Sequence, residues 1–414
     1  MRNKRIAIVG AGPSGMMAAV RASQLNQKVT LFEKNPTLGK KLLLSGKGRC
    51  NITNACSLDL FLKRFSKNGE FLRDAFRKFF NQDLINFFKE KGLELKVERQ
   101  LRVFPVTDSS ASILEVFKNE LLRNKVEIIY KTKIQDIIIE DGKVNGVMPI
   151  GSGPILFDRV ILATGGVSYG FTGSTGEGLK IAQNKGHKIV RLKPGLVSLK
   201  VKENYPKLLE GLTLKNIRLR FNDGKKEILS EVGEMIFTER GISGPLVLSL
   251  SGKIIEWLDE KKDVSVAIDL KPGLTLAQLD NRLLREFKLN PKKAIRNIIR
   301  KVLPVKLAGL IMEIAKVDPN QKANQVNLRE RHSITGLLKG WRLTITGSGS
   351  LEEGMITRGG VSLKEINPRT MESRLIKGLY FCGEMIDIDA DTGGFNLQAA
   401  FSTGYLAGES AATN

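Results

Sequence analysis

The 414-residue sequence has only three cysteines, two histidines and no long apolar run. Cys50, Cys56 and Cys382 are an odd number with no CxxC pair, and His187 and His332 add too few nitrogens to complete a zinc site. Neither a metal centre nor a disulfide scaffold is expected. No stretch approaches the ~20 apolar residues that span a bilayer, so no membrane helix is predicted. The opening MRNKR runs straight into a short buried-strand pattern rather than a signal peptide, which reads as a cytoplasmic protein. Acid is also scarce: 43 Asp and Glu face 66 Lys and Arg, a formal charge of +23. That excess draws nucleic acid, anionic membranes and acidic small molecules alike, and a Lys-rich proteome produces it with no partner at all.

What is present is glycine in informative places. Residues 6–19, IAIVGAGPSGMMAA, give a buried strand, then Gly10, Gly12 and Gly15 in G-x-G-x-x-G spacing, then a helix. Gly10 permits the tight turn, Gly12 leaves room for a pyrophosphate, and Gly15 lets the helix pack on the strand. The helix start offers unpaired N–H groups to phosphate. A second strand, KVTLFE, ends in Glu33, placed to accept hydrogen bonds from a ribose diol and to repel a 2′-phosphate, which favours FAD or NAD over NADP. The following GKKLLLSGKGRCNITN, residues 39–54, reads as a loop against a ligand. Lys47, Arg49 and the backbone at Gly46 and Gly48 are its candidate contacts, and Asn51 and Asn54 would fix the loop. Cys50 is alternatively a reactive thiol, because Lys47 and Arg49 would lower its pKa. The Phe-rich stripe over 70–92 has helical spacing and reads as core.

At this length there is room for two or three domains. ILFDRVILATGG, residues 155–166, is another buried strand with a glycine end, where N–H groups near Gly165, Gly166 and Thr175 would meet the same ligand; a plain βα turn explains the second glycine cluster equally well. Past Lys193 short alternating segments such as LTLKNIRLRF and VSVAIDL predict antiparallel sheet, and from Leu274 to about Leu338 helical spacing takes over. Residues 282–306 hold nine Lys or Arg against one acid, Glu286, a pattern that a solvated helix face also explains. Residues 378–409 restore α/β character. Glu384 at a strand end suits a ribityl hydroxyl, and Thr392–Asn396 places bare N–H groups at a helix start, beneath the pyrimidine edge of a flavin.

Together IAIVGAGPSGMMAA, GKKLLLSGKGRCNITN, ATGGVSYGFTGSTGEG, FTERGISGP, TRGGVSLKEINPRTMES and GLYFCGEMIDIDADTGGFNLQAAFSTG resemble the bacterial HI0933-like flavoproteins over nearly the whole chain. Pro13-Ser14 stands where the family usually has a small Ala pair, without blocking the turn. The resemblance implies non-covalent FAD, an NAD(P)H-linked oxidoreductase, and an α/β Rossmann-like FAD-binding domain interrupted by an inserted β-barrel plus helical domain. The corresponding boundaries are 1–191 with 356–414 for the FAD-binding domain, 192–273 with 339–355 for the barrel-like domain, and 274–338 for the helical subdomain. FAD contacts carry over onto Gly10, Gly12, Gly15, Glu33, Lys41, Arg49, Gly165, Gly383, Glu384, Asn396 and Leu397. Pro13, Ser14, Lys34, Ser45, Gly46, Gly48, Ile134, Ala163, Thr164 and Gly394 complete the expected cofactor set.

No second G-x-G-x-x-G followed by an acid exists, so a nicotinamide would dock transiently. Arg49, Cys50, Asn51, Tyr169 and Arg358 are the catalytic candidates, because they lie on loops expected to converge near the flavin ring; Arg358 would hold either an acidic substrate or the surrounding loops. Three functions follow: a small-molecule oxidoreductase, which leads, a flavoenzyme acting on RNA, and a non-catalytic FAD-binding redox sensor.

Overall fold

The apolar run RIAIV becomes the strand Arg5–Val9 at the centre of a five-stranded sheet. In the computed structural model, which describes residues 3–260 and 263–414, the strand order is Leu379–Phe381, Arg159–Leu162, Arg5–Val9, Lys28–Phe32, Glu127–Ile129. Every pairing is parallel. A parallel sheet is covered on both faces, and Ile6, Ala7 and Ile8 are accordingly sealed from solvent. The strand Leu379–Phe381 pairs Leu379 with Val160 and Phe381 with Leu162, so the end of the chain completes the sheet that the beginning starts. The protein is thus mixed α/β, with a Rossmann-like parallel core and a separate antiparallel sheet. Residues 1–195 and 351–414 form one compact unit, and 196–350 a second.

In the first unit, the helix Pro13–Gln24 begins directly after Gly12 with proline in its first turn, where a fixed φ and a missing N–H cost nothing. It lies along the C-terminal helix Phe395–Thr413 at backbone contact. A Cβ on Gly404 would sit 2.2 Å from the Ser14 carbonyl oxygen, and one on Gly408 would sit 2.4 Å from that of Ala18. The stripe over 70–92 is core, as expected, but it is not one helix. Helices Arg73–Lys78 and Asn81–Glu90 are separated by extended Phe79. The Asp83 carboxylate accepts the Phe80 N–H at 2.7 Å, satisfying a helix start that a continuous helix would not need. The rings of Phe76, Phe80 and Phe395 then pack edge-on around Phe61 at 4.7–5.2 Å. The segment 39–54, expected as loop, contains the short helix Lys40–Leu44, a tight 3-10 turn Ser45–Gly48 and the strand Thr53–Asn54.

The second unit is a ring of antiparallel strands in the order Thr213–Asn222, Gly233–Thr238, Gly241–Ser243, Leu199–Val201, Trp341–Ser348, Val264–Asp269. The last strand pairs back onto the first, closing the ring and removing a sheet edge. Val264, Val266 and Ile268 point inward at the period of two that a one-sided sheet demands. Helices Leu276–Leu289, Ile295–Ile299, Val305–Ala315 and Leu328–Gly340 follow, the first opened by a reciprocal cap between Thr275 and Gln278.

The helix contact in the first unit makes a signed prediction. Gly404→Ala should lower stability by about 1–3 kcal/mol through overpacking, whereas Gly336→Ala, in a helix with open space around the added methyl, should leave it unchanged or raise it by about 0.5–1 kcal/mol. Urea midpoints of the two variants against the parent check both signs.

Candidate functional site

Four parallel strands end in expected site residues at the same, carboxyl end of the sheet. Gly10 follows Arg5–Val9, Glu33 follows Lys28–Phe32, Ala163 and Gly165 follow Arg159–Leu162, and Gly383 and Glu384 follow Leu379–Phe381. Carboxyl ends of parallel strands are where open α/β sheets bind ligands.

The glycine turn is constrained at two positions and open at the third. Gly10 has φ +102°, and a Cβ there would lie 2.7 Å from the Ala163 carbonyl oxygen; one on Gly15 would lie 1.9 Å from the Gly10 carbonyl oxygen. A Cβ on Gly12 would meet nothing within 4 Å, so the turn presents bare backbone to open space at the start of the Pro13–Gln24 helix. Buried Glu33 braces the turn: its carboxylate accepts the Ala11 N–H at 2.9 Å and the Asn35 N–H and side-chain amide at 2.8 and 2.7 Å. Ile134 is buried at the start of a hairpin strand, and the hairpin's approach is tied to Glu33 by Thr132 donating its N–H to the Glu33 carbonyl.

The second focus is the Glu384 carboxylate. It accepts from Lys41 Nζ at 2.7 and 3.0 Å, from Ser168 Oγ at 3.1 Å and from the Thr357 N–H at 2.6 Å. Thr357 is buried, and its hydroxyl oxygen in turn accepts the N–H groups of Val167 and Ser168 at 2.8 and 3.1 Å. Gly166 has to be glycine here, since a Cβ would fall 2.2 Å from that hydroxyl. Gly165 faces Ser174 and Glu384, while the Thr164 hydroxyl reaches the Met385 sulfur at 3.1 Å. Gly383, at φ +72°, accommodates Ser14, whose Oγ a Cβ would approach to 2.3 Å. Ser168 and Thr357 were not among the residues expected from sequence. Their only linear signal is a hydroxyl beside a glycine pair in each of GGVS and TRGG.

Several expected contacts are instead occupied within the protein. Lys34 Nζ bonds Thr175 and Glu177 at 2.7 and 2.8 Å; burial opposes Glu177 ionisation, yet Lys133 and Lys34 hold its pKa down to about 2. Ser45 Oγ closes the preceding helix on the Leu42 carbonyl, and Gly46 and Gly48 supply the positive φ of the turn. Asn396 spends both ends of its amide on the 390–391 backbone, accepting from Ala390 N at 2.9 Å and donating to the Ala390 and Asp391 carbonyls at 2.9 and 3.3 Å. Its side chain thus holds the loop before the C-terminal helix, whose first turn carries the backbone N–H groups expected there. Gly394 lies within 2.4 Å, by its would-be Cβ, of the Thr53 carbonyl group, and Leu397 packs on the core.

The catalytic candidates separate in the same way. Arg49 lies over the Phe104 ring at 4.2 Å and is clamped by Glu98 and Asp108; it lowers the Glu98 pKa, and Lys96 and then Arg49 lower that of Asp108. The expectation for Cys50 is reversed: the thiol is fully buried at a left-handed backbone position, and burial pushes its pKa up to about 12, with Ser45 a smaller opposing influence. Proximity in sequence to Lys47 and Arg49 does not lower it, because Arg49 turns to its carboxylates. Arg358 is buried and donates from Nε to Asp389 at 3.1 Å, which Ser66 also bonds at 2.7 Å, so it ties the surrounding loops. Asn51 keeps a buried side-chain oxygen with no hydrogen-bond partner. Tyr169 is half-buried beside Lys41, and burial raises its hydroxyl pKa.

Residues 4–410 match the HI0933-like protein Rossmann domain. The chain belongs to this family, one of FAD-dependent oxidoreductases. It is 32% identical to the 3-dehydro-bile acid delta(4,6)-reductase of Clostridium scindens, over 99% of both chains. It is 30% identical to the ribosomal RNA dihydrouridine synthase of Haemophilus influenzae, over 96% of both. Among solved structures, the 3-ketosteroid delta1-dehydrogenase of Sterolibacterium denitrificans covers all of both chains with a TM-score of 0.53 at 13% identity, a likeness of fold. The site of this HI0933-like chain fits FAD on its own observations. Gly12 leaves open space at the helix start, Glu33 is a carboxylate held in place at the end of the next strand, and Asn51 has an unpaired buried acceptor on the loop that follows.

Two outcomes are expected. At pH 8 the native protein should react with a thiol reagent such as DTNB at Cys56 alone, with Cys50 and Cys382, both raised by burial to about 12, reacting only after denaturation. Thr357→Val should strand the Val167 and Ser168 N–H groups, cost about 1–3 kcal/mol in urea unfolding and weaken FAD retention on dialysis; Thr357→Ser should restore both.

Proposed function

We propose that this protein is an FAD-dependent reductase that saturates a carbon–carbon double bond conjugated to a carbonyl group, with NAD(P)H as a transiently docked reductant. The observation that carries the reading is the arrival of the Gly10–Gly15 turn, Glu33, Gly165 and Glu384 at the carboxyl ends of four adjacent parallel strands. The bond type is supported by the names of two relatives that match nearly the whole chain. A delta(4,6)-reductase and a dihydrouridine synthase both, by name, hydrogenate a double bond.

The Gly10–Gly15 turn and helix start would hold the pyrophosphate, Glu33 the adenosine ribose, and Glu384 the ribityl chain, with Lys41 and Thr357 fixing the Glu384 carboxylate. Bound there, FAD would carry a hydride at N5 between nicotinamide and substrate. The balance is one hydride to the β carbon and one proton to the α carbon, with NAD(P)H oxidised to NAD(P)⁺. Of the five candidates, Arg49 and Arg358 are held by carboxylates, Cys50 is buried, and Asn51 has no dissociable proton at neutral pH. Tyr169 Oη remains as the group to supply the proton, and its raised pKa keeps it protonated up to alkaline pH.

A second reading places the double bond in a uracil base within RNA. The Haemophilus relative and a 27% identical Escherichia coli relative, both ribosomal RNA dihydrouridine synthases by name, favour it.

The visible spectrum of purified protein should show bound flavin; a colourless protein that takes up no added FAD sinks the proposal. Anaerobic addition of NADH and of NADPH should bleach the flavin, and 2-cyclohexen-1-one should then restore its colour, an outcome a non-catalytic sensor would not give. Tyr169→Phe should retain FAD and bleach normally while re-oxidation slows by about 10²-fold or more.

A further inference from the structure

We infer that the helical layer of the 196–350 unit is a docking face for RNA phosphates. The inference takes its partner from the RNA reading above, but its argument lies in this unit alone.

Between residues 282 and 306 every one of the nine Lys and Arg side chains is exposed. Lys301 lies 3.6 Å from Glu286; the other eight have no carboxylate within ion-pair distance among the described residues. Behind them, half-buried cations of the same unit are neutralised: Arg331 is paired with Asp280 at 2.8 Å and Lys339 with Asp269 at 2.6 Å. Within 282–306 the single acid, Glu286, is half-buried, so the exposed charges of this stretch are all positive.

The arrangement suits a polyanion. Arg282, Arg285 and Lys288 recur every three residues along one helix, and Lys292 and Arg296 continue the series through the following turn into the next. Spread over two helices and a turn, such cations span several phosphates. The apolar sides of the same helices are consumed by the unit's own core: Leu279, Leu283, Ile295, Ile298 and Ile299 are fully buried. An interfacial membrane helix needs a continuous free apolar face, and here only single residues at helix ends, Leu276, Leu289 and Val305, stay exposed. The sole aromatic residue from 276 to 316, Phe287, is also buried, so the face has no platform on which bases could stack. It would grip the backbone of a folded RNA and orient it, leaving base recognition to other surfaces.

The test uses the full-length protein and a fluorescein-labelled 30-nucleotide RNA hairpin, titrated by anisotropy from 50 to 250 mM KCl. The variant Arg285→Gln, Lys288→Gln, Lys292→Gln, Arg296→Gln is compared with a charge-matched control, Lys89→Gln, Lys125→Gln, Lys131→Gln, Lys180→Gln, whose exposed lysines lie in the other unit. The helical-layer variant should lose at least about tenfold in affinity, and its salt slope should fall by about 3, while the control stays near the parent. Equal losses in the two variants would reduce the effect to bulk charge and overturn the proposal. So would unchanged binding, or tighter binding of the parent to vesicles containing phosphatidylglycerol than to the hairpin. Dihydrouridine formation is scored separately on total RNA: its absence with hairpin binding intact removes the RNA-substrate reading and leaves the docking face standing.

Discussion

A single half-buried carboxylate organises the first unit. Glu384 needs compensation for lost water, and it receives this from Lys41 near the start of the chain, Ser168 in its middle third and the Thr357 N–H after the insertion. Each partner lies on a different glycine-rich segment. Holding one charge therefore brings three distant loops to the end of one sheet. Thr357 extends the same network to the backbone of Val167 and Ser168, which is why the preceding Gly165-Gly166 pair and the strand carrying Thr357 have to approach so closely.

Interruption of this unit by 155 residues carries little penalty, because the sheet and the helix contact re-form from both sides of the gap. The parallel pairing of Leu379–Phe381 with Arg159–Leu162 and the glycine-mediated contact between the first and last helices act as two independent clasps. The inserted unit closes its own strand ring and owns its own core.

Much of the cofactor end was legible in sequence because its requirements are local. The order of strand, glycine turn and helix, and an acid at the end of the next strand, are dictated by backbone conformation and by phosphate and ribose chemistry over fewer than thirty residues. Side-chain engagement was not legible in the same way. Arg49, read as a flavin or substrate contact, is drawn to Glu98 and Asp108, some fifty residues away. Cys50 is silenced by burial that no neighbour in sequence reports. The Asn396 side chain closes its own loop, and the helical spacing of 70–92 is interrupted at Phe79, after which Asp83 caps a new start.

By itself, the sequence determined the α/β character, the glycine turn, the absence of a cysteine framework and the excess of positive charge, since each depends on residue type and short-range spacing. Only the tertiary structure decided which charges are spent and which are free. Lys41 meets Glu384 across 343 residues, while the cations of 282–306 find almost no acid at all. Electrostatic pairing depends on distance in space and on exclusion of water, and neither is written in the order of the chain.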